Sequence, residues 1–283
     1  MKSDTVLCLG AQGFHRMNYY EWGDAASPRI VICVHGLTRN GRDFDFLAGM
    51  LAPDFRVICP DVVGRGQSEW LASKMDYNHV QYMTDMTALI ARVTGGARKT
   101  VHWVGTSMGG LLGILLASVP QTPIEKLVVN DAGTLVPKTA LERMARYVGQ
   151  DPRFATFEEL EAYLRRISAP FGPLTDEQWR HLTVHAAKQH ADGAWGMSYD
   201  PAIGLPLQGE LTDIDLSAQW NAIRCPTLLL RGTQSDVLLR ETAQAMTSTG
   251  PKAKLAEFAG IGHAPMLMSE DQARVVRDFL LND

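Results

Sequence analysis

One serine and one histidine carry most of the chemistry legible in this chain of 283 residues. Residues 101–117 read VHWVGTSMGGLLGILLA: an apolar strand, then Gly105-Thr106-Ser107-Met108-Gly109, then a helix opened by small residues. G-x-S-x-G between a strand and a helix marks a turn so sharp that only small neighbours fit, with the serine hydroxyl held clear of the backbone. The helix start behind Ser107 offers free N–H groups and the positive end of a dipole, which suit a developing oxyanion. The same letters in another context are a common accident, but here strand and helix are both in place. The implied chemistry is nucleophilic attack by Ser107, provided a base takes its proton.

Of eight histidines, His263 is the expected base. It lies in GIGHAP (260–265), a loop between the last strand and the last helix, which ends at the same edge of a sheet as the serine turn. His102 lies inside the strand before the turn and is expected to pack there. A third group must orient the imidazole and stabilise its cation. Asp236, in LLLRGTQSDVL, follows an apolar strand and precedes the histidine strand, so it is the expected acid. Asp131, in LVVNDAG, ends a strand nearer the serine and is the alternative, otherwise a pocket or hinge residue.

Further groups complete the expected site. His35-Gly36-Leu37 closes the strand IVICVHG, and a loop there can supply a second oxyanion donor. The donors would be the backbone N–H groups of Leu37 and Met108, with His35 a brace under the loop. The turn DVVGRGQS (61–68) is expected to shape the pocket floor; its glycines do not follow G-x-G-x-x-G, so no dinucleotide cofactor is implied. His181 and His185 stand four apart on a helix, a metal-compatible spacing, yet no third ligand and no H-E-x-x-H accompany them. No metal is expected.

These groups must be positioned by a scaffold, and the pattern names one. Apolar runs at 30–36, 56–61, 100–105, 126–131, 227–232 and 253–258 alternate with helical stretches at 43–51, 78–93, 108–118, 239–248 and 269–281. Strands apolar throughout are covered on both faces, so the alternation predicts an α/β protein with a mostly parallel sheet between two helical layers. The segment 5–22 can add an antiparallel hairpin at one sheet edge. From Val136 to Leu207 the strands stop, and helical patterns at 138–148, 156–168 and 175–190 replace them. This segment is expected to be a helical cap inserted after the sixth strand, over the carboxyl edge where ligands bind. The domain reading is therefore core at 1–135, cap at 136–207 and core again at 208–283. Trp179, Trp195 and Tyr199 are candidate pocket walls, or else they pack the cap on the core.

Composition narrows the partners. Twenty-seven basic against 31 acidic residues leave a charge of −4 with no basic run, which speaks against nucleic acid or an anionic membrane. No apolar stretch is long enough for a bilayer, and the first ten residues are too polar for a signal peptide. The four cysteines form no CxxC pair and suggest no disulfide framework. A cytoplasmic protein is expected.

In this order, HGLTRNGRDF, DVVGRGQS, GTSMGG, the cap, RGTQSD and GIGHAP together resemble the α/β-hydrolase superfamily over nearly the full length. The likeness is greatest to small capped bacterial carboxylesterases and lactonases. The resemblance implies an eight-stranded, mostly parallel sheet, no cofactor, Ser107 as nucleophile, Asp236 as acid and His263 as base, with Leu37 and Met108 at the oxyanion positions. It further implies hydrolysis of a small to medium ester or lactone through an acyl-enzyme, that is, a small-molecule partner. A carbon–carbon bond hydrolase of vinylogous diketones and a non-catalytic ligand-binding member are the competing readings, because fold alone does not choose a reaction.

Overall fold

Strands and helices alternate as expected in the computed structural model, which describes residues 1–97 and 99–282; Arg98 and Asp283, within the expected core ranges, lie outside the described residues. The chain opens on a hairpin of β1 (Lys2–Gly10) and β2 (Gly13–Trp22). Next come β3 (Ile30–Val34), α1 (Asp45–Leu51), β4 (Arg56–Pro60), α2 (His79–Val93), β5 (Val101–Thr106), α3 (Met108–Ala117) and β6 (Ile124–Asn130). After β6 the chain leaves the sheet through β7 (Leu135–Val136), α4 (Lys138–Ala145), α5 (Phe157–Ile167), α6 (Asp176–Ala186), β8 (Ala187–Gln189), β9 (Trp195–Met197) and β10 (Ile214–Asp215). It returns as α7 (Ser217–Ala222), β11 (Thr227–Gly232), α8 (Arg240–Met246), β12 (Lys254–Phe258) and α9 (Glu270–Leu281).

Eight strands form one sheet in the order β1-β2-β4-β3-β5-β6-β11-β12. The hairpin joins antiparallel at one edge, and every pair from β4 to β12 is parallel. Five consecutive buried residues in β3 and six in β11 explain the parallel sheet: neither strand has a face that water reaches. Leu47, Leu51, Val276 and Leu280 of α1 and α9 pack on one face, and Met86, Leu89, Leu112 and Trp220 of α2, α3 and α7 on the other.

The excursion between β6 and β11 is closed at its base by the antiparallel ribbon of β7 and β10. Two of its helices, α5 and α6, carry their start signals in the sequence: Thr156 with Glu159, and Thr175 with Gln178, form complete capping boxes. The helix expected to reach residue 190 instead stops at Ala186. An Asp192-Gly193 turn, with Gly193 at φ +85°, folds the following residues into the hairpin of β8 and β9. Turn chemistry there overrides the helical period. Hydrogen bonds stitch the excursion to the sheet: Asn40 Nδ2 donates to the His185 carbonyl at 2.9 Å, and Gly66 N–H to the Ser198 carbonyl at 3.0 Å.

Among the described residues no helix is long and apolar enough to cross a membrane.

Candidate active site

Ser107 sits at the carboxyl end of β5 with φ 53° and ψ −116°, a strained conformation for a residue with a Cβ. Its neighbours permit it. A Cβ on Gly105 would lie 2.1 Å from the Gly109 carbonyl oxygen, and one on Gly109 would lie 2.0 Å from that of Val34. Trp103 Nε1 donates to the Gly109 carbonyl at 3.0 Å and pins the first turn of α3 from below. The hydroxyl is thereby fixed above the sheet by packing rather than by its own preference.

His263 lies in the loop after β12. Its Nδ1 is 2.8 Å from Asp131 Oδ2 and its Nε2 is 2.8 Å from Ser107 Oγ. A carboxylate only accepts, so Nδ1 carries the proton and Nε2 presents its lone pair to the serine O–H. The three side chains form one continuous relay from a buried carboxylate to a hydroxyl at the pocket floor.

The carboxylate is Asp131, not Asp236. Asp131 directly follows β6, is fully buried, and has a left-handed φ of 53° that turns its side chain toward the next strand. There Gly232 N–H donates to Oδ1 at 3.0 Å and Ser235 Oγ donates to Oδ2 at 2.6 Å. Asp236, one residue beyond that serine, points away: nearly half exposed, it accepts from Arg143 Nε at 2.5 Å and from Nη2 at 2.9 Å. The expected loop does reach these three side chains, but it supplies donors to the Asp131 carboxylate rather than the carboxylate itself.

The loop expected to supply an oxyanion donor is braced from beneath. His35 Nδ1 donates to the Gly36 carbonyl at 2.7 Å and Nε2 accepts from Val62 N–H at 2.9 Å, so the ring braces the loop as a neutral imidazole. Burial lowers its pKa to about 3. Leu37 and Met108 line one cavity together with Ser107, and Met108 begins α3, where N–H groups have no partner within the helix. Sequence reasoning missed Arg65. Fully buried, it donates from Nε to the Leu37 carbonyl at 2.9 Å and from Nη1 to that of Val63 at 2.7 Å, with Nη2 3.7 Å from Met108 Sδ. Tyr82 faces its guanidinium at 4.8 Å. The only signal was a charged residue inside a glycine-rich turn.

Two cavities meet at Ser107, and Leu37 and Met144 line both. One, of about 70 Å³, holds His263 and is walled by Arg39, Asp43, Arg143, Tyr147 and Phe171. It has room for roughly five water-sized groups. The other, about 500 Å³, is apolar, with Leu111, Leu115, Val136, Leu141 and Leu207 in its wall. Trp179, Trp195 and Tyr199 line neither. Trp179 stacks on Phe171 at 6.3 Å, Trp195 meets Phe157 edge-on at 5.3 Å, and Tyr199 is buried with its hydroxyl donating to the Gln150 carbonyl. These rings hold the excursion together, and α4 supplies the pocket wall instead.

His181 and His185 do find a third ligand-type neighbour in Asp45. The group is already occupied: Arg42 forks onto Asp45, Nε donating to Oδ1 at 2.8 Å and Nη2 to Oδ2 at 2.5 Å, and His181 Nε2 donates to the Arg42 carbonyl at 3.0 Å. A guanidinium stands where a cation would need open carboxylate. Cys8, His15 and Asp85 also converge, but the Asp85 carboxylate is already engaged, by His15 Nε2 at 3.1 Å from both oxygens and by Gln81 Nε2, which donates to Oδ1 at 2.7 Å.

A model of the alpha/beta hydrolase family matches residues 31–278. The chain is 46% identical over 283 residues to a 3-hydroxybutyrate-oligomer hydrolase of Cupriavidus necator, covering 97% of this chain and 96% of that one. It is 23% identical over 269 residues to a pimeloyl-[acyl-carrier protein] methyl ester esterase of Photobacterium profundum, covering 92% and 97%. Among solved structures, an alpha/beta hydrolase from Novosphingobium aromaticivorans superposes with a TM-score of 0.85 at 34% identity, covering 98% of each chain.

Proposed function

The chain belongs to the alpha/beta hydrolase family, and from that premise we propose that it hydrolyses carboxylic esters through Ser107, with short ester-linked oligomers of hydroxy acids as its substrates. The observation that carries the reaction is the relay Ser107–His263–Asp131, with 2.8 Å at each step. The substrate class is suggested by the relative from Cupriavidus necator, whose likeness extends over nearly the whole of both chains.

In this reading His263 Nε2 takes the Ser107 proton as Oγ bonds to the ester carbonyl carbon. The resulting oxyanion is held by the Leu37 and Met108 N–H groups, while Asp131 stabilises the imidazolium. Collapse breaks the bond to the alcohol, which leaves with the proton from Nε2. Water, deprotonated by the same nitrogen, then attacks the acyl-enzyme and releases the acid. The segment from Val136 to about Leu207 acts as a cap whose helix α4 roofs both cavities. Four unbridged cysteines suit a reducing compartment, in keeping with a cytoplasmic enzyme.

The test is release of 3-hydroxybutyrate monomer from its linear dimer and trimer by purified protein, alongside nitrophenyl butyrate. Turnover of the oligomers at rates equal to or above the nitrophenyl ester, abolished in Ser107→Ala, is the expected result. Nitrophenyl ester cleavage with inert oligomers would retain the esterase and remove the substrate class.

A further inference from the structure

The smaller cavity has in its wall one cation whose counterion stands outside it. Its charged walls are Arg39, Asp43 and Arg143, besides His263. Arg39 is neutralised within the wall, since Nε and Nη2 fork onto Asp43 at 2.8 and 2.7 Å and both residues line the cavity. Arg143 is different. Its counterion Asp236 lies outside that wall and is nearly half exposed to solvent. Asp236 engages only the Nε/Nη2 edge of the guanidinium, so the Nη1 end is not used by it. Met144, Leu164, Ile167 and Met197 surround the position with apolar surface, where an anion without a cation would be costly.

We propose that Arg143 receives the free carboxylate of the substrate's terminal unit, so that the enzyme cuts ester oligomers at their acid end. This rests on the ester-hydrolase reading above. In a linear oligomer of a hydroxy acid, the free carboxylate belongs to the unit whose own hydroxyl is esterified. It is therefore always on the alcohol side of the last ester bond. Placing that carboxylate on Arg143 puts the last unit in the small cavity and aims the last ester carbonyl at Ser107. The rest of the chain, as the acyl part, runs into the large apolar cavity. Attack bonds Oγ to the carbonyl carbon and breaks its bond to the terminal unit's oxygen. That unit leaves as a free hydroxy acid with the proton from His263, and water frees the acyl remainder, now itself acid-ended. Guanidinium is suited to the task because it holds two carboxylates on different edges at once.

The experiment compares kcat/KM for matched pairs, each a free acid and its methyl ester: the linear 3-hydroxybutyrate dimer, and 3-(butyryloxy)butanoate, which keeps the acidic alcohol side with a plain acyl group. For wild type the acid is expected to exceed its methyl ester by about tenfold to hundredfold, the strength of one charge-assisted pair. Arg143→Gln should bring that ratio to about one, and Arg143→Lys should leave an intermediate ratio. Both substrates are read on the same preparation, so a fraction of misfolded variant cancels in the ratio. Wild type without acid preference, or Arg143→Gln with the preference intact, overturns the proposal. If both forms of the dimer are cleaved equally, the oligomer reading stands and the role of Arg143 falls. If the dimer is inert but the butyryl pair shows an Arg143-dependent preference, the reverse holds.

Discussion

Three donors converge on the carboxylate of Asp131: the Gly232 amide, the Ser235 hydroxyl and the His263 imidazole. A buried carboxylate saturated in this way has a defined orientation, which is what an imidazolium forming beside it requires. Asp131→Asn should therefore lower ester turnover on the order of ten-thousandfold, because the amide favours the wrong tautomer and removes the charge. Asp236→Asn should cost far less, since its side chain reaches only Arg143. Steady-state kinetics on one neutral ester, with circular dichroism to establish folding, checks both; the reverse ranking would remove Asp131 from its role. Ser235→Ala takes one donor from Asp131 and leaves the relay in place, so a fall of about tenfold in kcat with little change in KM is expected. Ser107 and His263 were legible because each sits in a local motif whose context is itself local. The acid was not. Sequence placed two aspartates at the ends of adjacent strands, and the choice between them turns on a left-handed φ at Asp131 and on a serine one position before Asp236. Neither leaves a mark that spacing alone can read.

Elements explain how a strained serine is tolerated. The turn from β5 to α3 brings helix and strand backbones so close that Gly109 has the Val34 carbonyl where a Cβ would be. Gly109→Ala forces the helix away from the sheet, and a loss of several kcal/mol in stability, with activity falling to near background, is the expected outcome. Gly49, inside α1, is the internal comparison, for nothing lies within 4 Å of its added Cβ. Gly49→Ala should instead stabilise by about 0.5–1 kcal/mol through helix propensity. Urea unfolding of the pair settles it: equal and opposite-to-expected shifts would show that the close approach at Gly109 does not limit the fold. At this scale most of the architecture was readable, since continuous apolar runs name buried strands and Thr-x-x-Glu or Thr-x-x-Gln names helix starts. The hairpin of β8 and β9 was not, because three-residue strands are too short to show a period. The aromatic residues left two readings open for a related reason. A tryptophan suits a pocket wall and a helix seam equally, and Trp179 and Trp195 serve the seam.

At the scale of the whole molecule, the buried histidines tie stability to pH. Burial lowers the pKa of His35 to about 3 and of His185 to about 4, and lowers that of His102 as well. Each is held neutral in the fold but charges near pH 6.5 once the chain unfolds. The unfolded state therefore binds more protons throughout the window from about pH 6.5 down to these folded values, and stability rises with pH there. Acidification withdraws it. His35 alone should remove about 2 kcal/mol between pH 6.5 and 5, at about 1.4 kcal/mol per pH unit, a sizeable share of a domain's 5–15 kcal/mol. His185 is partly exposed, so its share is smaller. Asp61 works in the opposite sense: desolvation raises its pKa, so the fold favours its protonated form. Urea midpoints at pH 8, 6.5 and 5 should thus be level between the first two and drop at the third. His35→Gln should be less stable at pH 8, having lost the brace to Gly36 and Val62, yet should show a shallower decline on acidification. An unchanged decline in that variant would place the acid-sensitive proton elsewhere in the molecule, and the loop beneath Leu37 would then owe nothing of its pH response to His35.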